Sequence, residues 1–198
     1  MKFLKDNSYD IVKLFINQIG ITIFATMLYL PFGTGDDKGF ILSARMAVSV
    51  FATLFYLFLL YHAAWEFGSV DRMRSDSGKI TLTKCKGLRM SLVANIPNYL
   101  LATVATVCIA VHMISGNKSL LVLFGVLNAI MRFLSSMYIG LLQWTFAALE
   151  ADAVLYLFWQ SVGYVVLPLV SVAVTQFGYS VGVRHIKLTS IFSAKKTK

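Results

Sequence analysis

Hydrophobic positions in this chain fall in five long blocks, at about 11–32, 40–62, 91–114, 120–149 and 154–181, with polar residues gathered between them. Blocks of about 18 or more apolar residues have the length of a membrane-spanning helix. A soluble domain would instead show alternation or narrow amphipathic stripes. The pattern therefore predicts an all-α membrane protein, a bundle of five to six transmembrane helices.

Punctuation along the chain refines the elements. In the first block Lys13, Asn17 and Gln18 lie near the entry, and Pro31 with Gly33-Thr34-Gly35-Asp36-Asp37 stops it. Arg45 sits one to two turns inside the second block, where its long side chain can snorkel to the interface or pair with an acidic neighbour. The third block carries Asn95, Pro97 and Asn98 in its first two turns, and proline predicts a kink or a helix start there. Ser115-Gly116-Asn117-Lys118 is a tight turn, and Pro168 lies near the middle of the last block. Between the second and third blocks, in the loop 64–90, a turn at Ser75-Asp76-Ser77-Gly78 precedes alternating Ile80-Thr81-Leu82-Thr83. That spacing predicts a short strand hairpin against the membrane surface.

Composition agrees with lipid as the main solvent. Hydrophobic residues make up 58% of the 198 positions and charged ones 14%, against roughly 25% charged in an ordinary soluble domain. Little chain is left for a soluble domain, so one integral membrane domain over 1–198 is expected. The start is basic, but its apolar run outlasts a signal-peptide core of roughly 7–15 residues, which predicts an uncleaved first span. Cys85 lies in the basic loop and Cys108 inside an apolar block, so no disulfide is expected.

The net charge of +9 would suggest nucleic acid in a soluble protein. Here the cations lie between blocks and at the ends, the placement of topology determinants, and no nucleic-acid partner is expected. Arg72, Arg74, Lys79, Lys84, Lys86 and Arg89 mark the loop 64–90 as cytoplasmic. Lys2, Lys5 and Lys13 place the N-terminal flank on the same side, as Arg184, Lys187, Lys195, Lys196 and Lys198 do the tail 184–198. Five crossings would separate the termini, so an even number is required. Arg132 offers the repair: it falls mid-block, where a cation is expensive. Arms at 120–131 and 133–149, with Arg132 at the tip, would form either a hairpin or a re-entrant segment. The first arm reaches only about 18 Å of a roughly 30 Å hydrocarbon core.

Few residues carry candidate chemistry. Arg132 at depth must face a partner, water or a ligand, and is read either as a contact to an anionic ligand or lipid headgroup or as a structural pair with Glu150 or Glu66. Asn95 and Asn98 either line a site at a broken helix or cap and kink it. Trp65, Glu66, Asp71 and Arg72 suit an interfacial anchor. His62, His112 and His185 lack metal-ligand spacing, so neither metal nor cofactor is expected. Nucleotide-binding, hydrolase and metalloprotease motifs are missing. Gly163, Gly178 and Gly182 would let helices pack closely.

Trp65-Glu66, Asp71-Arg72, Gly78-Lys79, Lys86-Gly87-Leu88-Arg89 and Ala94-Asn95-Ile96-Pro97-Asn98 together resemble a pattern in uncharacterised multi-pass membrane proteins of Gram-positive bacteria. Gly178, Tyr179 and Gly182 with 184–188 are similar to it as well. The resemblance covers about a third of the chain. It implies a bacterial cytoplasmic membrane and brings no activity. Two functions stay open. One is a non-enzymatic transporter subunit or membrane-complex component, docking through the basic loop; a substrate-binding subunit of a vitamin-type uptake system would have this size. The other is a membrane enzyme acting on lipid or lipid-linked substrates, with Arg132 holding a phosphate and Glu66 or Glu150 as acid or base.

Overall fold

In hydrocarbon every backbone donor and acceptor must be met within the protein, which leaves an apolar chain the helix as its simplest solution. The computed structural model describes residues 2–32, 38–149 and 152–184, and among them all regular structure is helical, without a strand. The helices are α1 (Lys2–Asp6), α2 (Ser8–Tyr29), α3 (Lys38–Asp76), α4 (Lys86–Ala94), α5 (Ile96–Ser115), α6 (Lys118–Leu134), α7 (Ile139–Thr145) and α8 (Ala153–Val183). Helices α2, α3, α5 and α8 are long and apolar enough to cross a membrane, and α6 with α7 is a fifth candidate bent by 85°. This is a multi-pass, all-α membrane protein.

Three sequence expectations change. Helix α3 does not stop at 62 but continues to Asp76, for 39 residues, about 58 Å at 1.5 Å per residue. Its extension keeps a buried face of Leu60, Ala63, Ala64, Phe67 and Asp71, the spacing of one helical stripe. The strand hairpin at 80–83 does not form, because Lys86 already opens α4 and only a short irregular stretch remains. The break in the fourth block falls at Ser135, three residues beyond Arg132, and the helical arm after it, Ser136–Thr145, reaches only about 15 Å and is too short to cross.

Contacts divide the chain into two compact units. The first holds Met1–Leu14, Leu57–Ala94 and Val170–Lys198. There α3 and α8 run side by side in the same direction at near-backbone contact. A Cβ on Gly182 would strike the Trp65 carbonyl, one on Gly178 would lie 2.7 Å from the Tyr61 carbonyl oxygen, and one on Gly68 would strike the Tyr179 carbonyl. Gly87 brings α4 equally close, its would-be Cβ 2.8 Å from that of Tyr179. Small residues allow this where lipid supplies no hydrophobic drive between helices. Polar ties hold the end of the basic loop to the same junction: Gln176 Nε2 donates to the Lys84 carbonyl at 2.8 Å, and the Leu88 amide donates to Gln176 Oε1 at 2.8 Å. Lys13 of α2 reaches Glu66 of α3. The start of α2, the end of α3, the basic loop and the end of α8 thus all belong to this unit.

The second unit holds Phe15–Tyr56 and Asn95–Leu169. Pro97 stands in the first turn of α5, where its missing donor costs nothing. Gly116 closes α5 in the left-handed region at φ 64°, its amide donating to the His112 carbonyl at 2.8 Å. Asn117 then caps α6 by accepting from the Ser119 amide at 3.0 Å, so α5 and α6 turn back on each other. Ala105, Cys108, Ile109 and Phe124 form the core between them, with Leu157 and Phe158 of α8 packed against it.

Candidate anion-binding cleft

The bend at Ser135 interrupts the helical ladder and exposes polar backbone, which inside a membrane requires partners. Hydroxyls from α2 and α3 supply them. Thr22 Oγ1 donates to the Leu134 carbonyl at 2.9 Å, and Ser136 Oγ donates to the Thr22 carbonyl at 2.8 Å. Thr53 Oγ1 donates to the Met137 carbonyl at 3.2 Å, and the Gly140 amide donates to Ser49 Oγ at 2.7 Å. Tyr29 closes the set through Ser49. Gly140 must be glycine, since a Cβ would run into the Arg45 carbonyl.

This stitching turns one face of α6 and α7 toward α2 and α3 and leaves a cleft of about 410 Å³. Arg132 in the last turn of α6 and Arg45 of α3 both line it, together with Tyr29, Ser136 and Gln143. Carbonyls at the end of α6 carry partial negative charge, which offsets part of the cost of holding the Arg132 charge among apolar helices. Its Nε is buried without a hydrogen-bond partner among the described residues, and so is Oε1 of Gln143. The Tyr164 hydroxyl of α8 lies beside the Arg132 guanidinium as its polar neighbour within the protein. Among the described residues lining the cleft there is no carboxylate. The planar fork of a guanidinium matches phosphate or carboxylate oxygens, and Arg132 and Arg45 each bring one to this cleft.

Other candidates lie elsewhere. Asn98 is fully buried; its Nδ2 donates to Gln18 Oε1 at 2.8 Å and to Asn95 Oδ1 at 3.1 Å, a polar cluster within the second unit that does not line the cleft. Glu66 belongs to the first unit, half exposed and bound by Lys13 Nζ at 2.8 Å. Glu150, the other proposed acid, lies outside the described residues, as do His185 and the tail beyond Arg184. No group of His, Cys, Asp or Glu suited to a metal occurs among the described residues.

No protein family, curated protein or solved structure matches this chain. What the cleft can do rests on its own chemistry. Arg132 and Gln143 are both polar interruptions of the fourth apolar block. Arg45, Tyr29 and Ser136 gave no sign of meeting them, because a sequence shows polar interruptions but not which of them face one another across three helices.

Proposed function

We propose that this chain is a non-enzymatic component of a bacterial cytoplasmic membrane, a transporter subunit or complex partner that binds an anionic group between Arg45 and Arg132. The observation that carries the reading is the buried, unmatched Nε of Arg132 in a cleft that Arg45 also lines and to which no described residue contributes a carboxylate. A lipid-acting enzyme would need an acid or base beside the bound group. Glu66 is held by Lys13 instead, which favours binding over catalysis.

We further propose that both termini are cytoplasmic. The grouping of the start of α2, the basic loop and the end of α8 in one unit supports this, as does the positive-inside tendency. Helices α2, α3, α5 and α8 then make four crossings, and α6 with α7 enters and returns without a fifth. The basic segment from Lys79 to Arg89 faces the cytoplasm as the surface for a membrane-protein partner.

Purification in mild detergent from the native membrane, followed by native mass spectrometry, tests the binding reading. The wild type should retain an anionic small molecule or lipid that Arg132→Gln loses while still eluting as a monodisperse peak. Equal retention by both proteins would refute it. Copurification of an ATPase would assign the transporter class, and turnover of a retained lipid by the pure protein would replace binding with catalysis.

A further inference from the structure

An anion alone does not match everything the cleft presents. Arg132 Nε is a donor and Gln143 Oε1 an acceptor; both are buried and unmatched among the described residues, and the two side chains line the same cleft. They stand on opposite sides of the 85° bend, which brings them to one cleft from α6 and α7. A carboxylate, or a phosphodiester that carries no hydroxyl, answers the arginines with its oxygens and leaves the amide oxygen facing a second acceptor. A buried acceptor left without a donor is costly. The ligand that satisfies both atoms carries an anionic group for the guanidiniums and, a few bonds away, a hydroxyl that donates to Gln143.

The surroundings point to where such a group comes from. Leu30, 73% exposed, and Phe133, 50% exposed, flank the polar lining. In a bilayer, apolar side chains this open meet acyl chains, so the cleft offers polar contacts beside a hydrocarbon wall. The geometry points to a phosphodiester with a hydroxyl-bearing alcohol, the chemistry of a glycerol-phosphate headgroup, as the ligand of the Arg45–Arg132 cleft. This rests on the anion-binding reading and adds to it a role for Gln143: it selects the alcohol, while the arginines select the charge.

Lipid retention in native mass spectrometry separates the two claims. Purified full-length protein would be exchanged into micelles containing equal amounts of phosphatidylglycerol, phosphatidylmethanol and phosphatidylcholine. The first two share a phosphodiester of single negative charge and differ in the headgroup hydroxyls; the third has no net charge and no donor. The expected order is phosphatidylglycerol about ten-fold over phosphatidylmethanol, the worth of one satisfied buried acceptor, with both above phosphatidylcholine. Gln143→Leu should erase the first difference and keep the second, and Arg132→Gln should lower both anionic lipids. If the wild type retains phosphatidylglycerol and phosphatidylmethanol equally, and both above phosphatidylcholine, the hydroxyl inference is overturned and the anion reading stands. If all three are retained equally, both are overturned. Deacylated glycerophosphoglycerol added as competitor identifies the source: displacement of the lipid supports a free phosphodiester, and resistance supports the membrane lipid. Because the decisive comparison uses the wild type, it survives a variant that does not fold.

Discussion

Lys86 Nζ lies 2.6 Å from Asp71 Oδ2, with the two side chains only 13% and 4% exposed. The same carboxylate oxygen accepts from the Tyr179 hydroxyl at 2.8 Å, so one acid joins α3, α4 and α8. Removing one member of a buried pair leaves the other charge unmet, at a cost of about 3 kcal/mol. Asp71→Asn should therefore lower the apparent melting temperature in detergent strongly, and Tyr179→Phe should cost about 1 kcal/mol. The double change Asp71→Asn with Lys86→Met should recover much of the loss. An Asp71→Asn protein as heat-stable as the wild type would remove this carboxylate from any role in holding the junction.

Close packing of α8 on α3 makes a second prediction. At Gly182 a methyl group would press on the Trp65 carbonyl, a backbone atom that cannot turn aside. Gly182→Ala should destabilise by about 2 kcal/mol, the scale of an overpacked contact, and broaden the elution profile. Gly20→Ala is the matched control, because a Cβ there meets nothing within 4 Å. Thermal shifts of the two variants should differ in this sense, and equal shifts would argue against the tight α3 and α8 contact.

Glu66 should prove dispensable. Its pair with Lys13 is 2.8 Å long, but the side chains are 50% and 32% exposed, and water screens such pairs to less than about 1 kcal/mol. Glu66→Gln should leave both stability and lipid retention within error of wild type. A variant that bound lipid normally yet lost a lipid-modifying activity would return Glu66 to the list of catalytic candidates.

Native cysteines report sidedness directly. Cys85 is exposed in the basic segment, whereas Cys108 is buried. An impermeant maleimide should label Cys85 only after cells are permeabilised, and should label a Ser115→Cys variant, built without Cys85, in intact cells. Labelling of Cys85 from outside would invert the proposed topology.

Legibility in the sequence followed the range of the interactions. Pro97 and Gly116 act on their own backbone, so the start of α5 and the turn into α6 could be read from them. The extension of α3 past 62 was hidden because Glu66, Arg72 and Arg74 make that stretch polar on average. Its signal was positional, in the recurrence of Leu60, Ala63, Ala64, Phe67 and Asp71 on one face. The sequence points to Arg132 for the break because a charge inside an apolar block is costly, yet the break falls at Ser135. The chain turns instead where hydroxyls from distant helices can answer the bared carbonyls, and no local pattern encodes those partners. Pairing of Arg45 with Arg132 on one cleft was invisible for the same reason.

Partners of that turn also set an order of assembly. Thr22, Ser49 and Thr53, which cover the peptide groups bared between Leu134 and Gly140, are all synthesised well before them. The kinked segment can settle into oil only against neighbours already standing there, so biogenesis must retain the first two long helices beside the insertion machinery until it arrives. A fragment starting after residue 56 would carry naked amides into the bilayer, and the cell's membrane proteases should clear it.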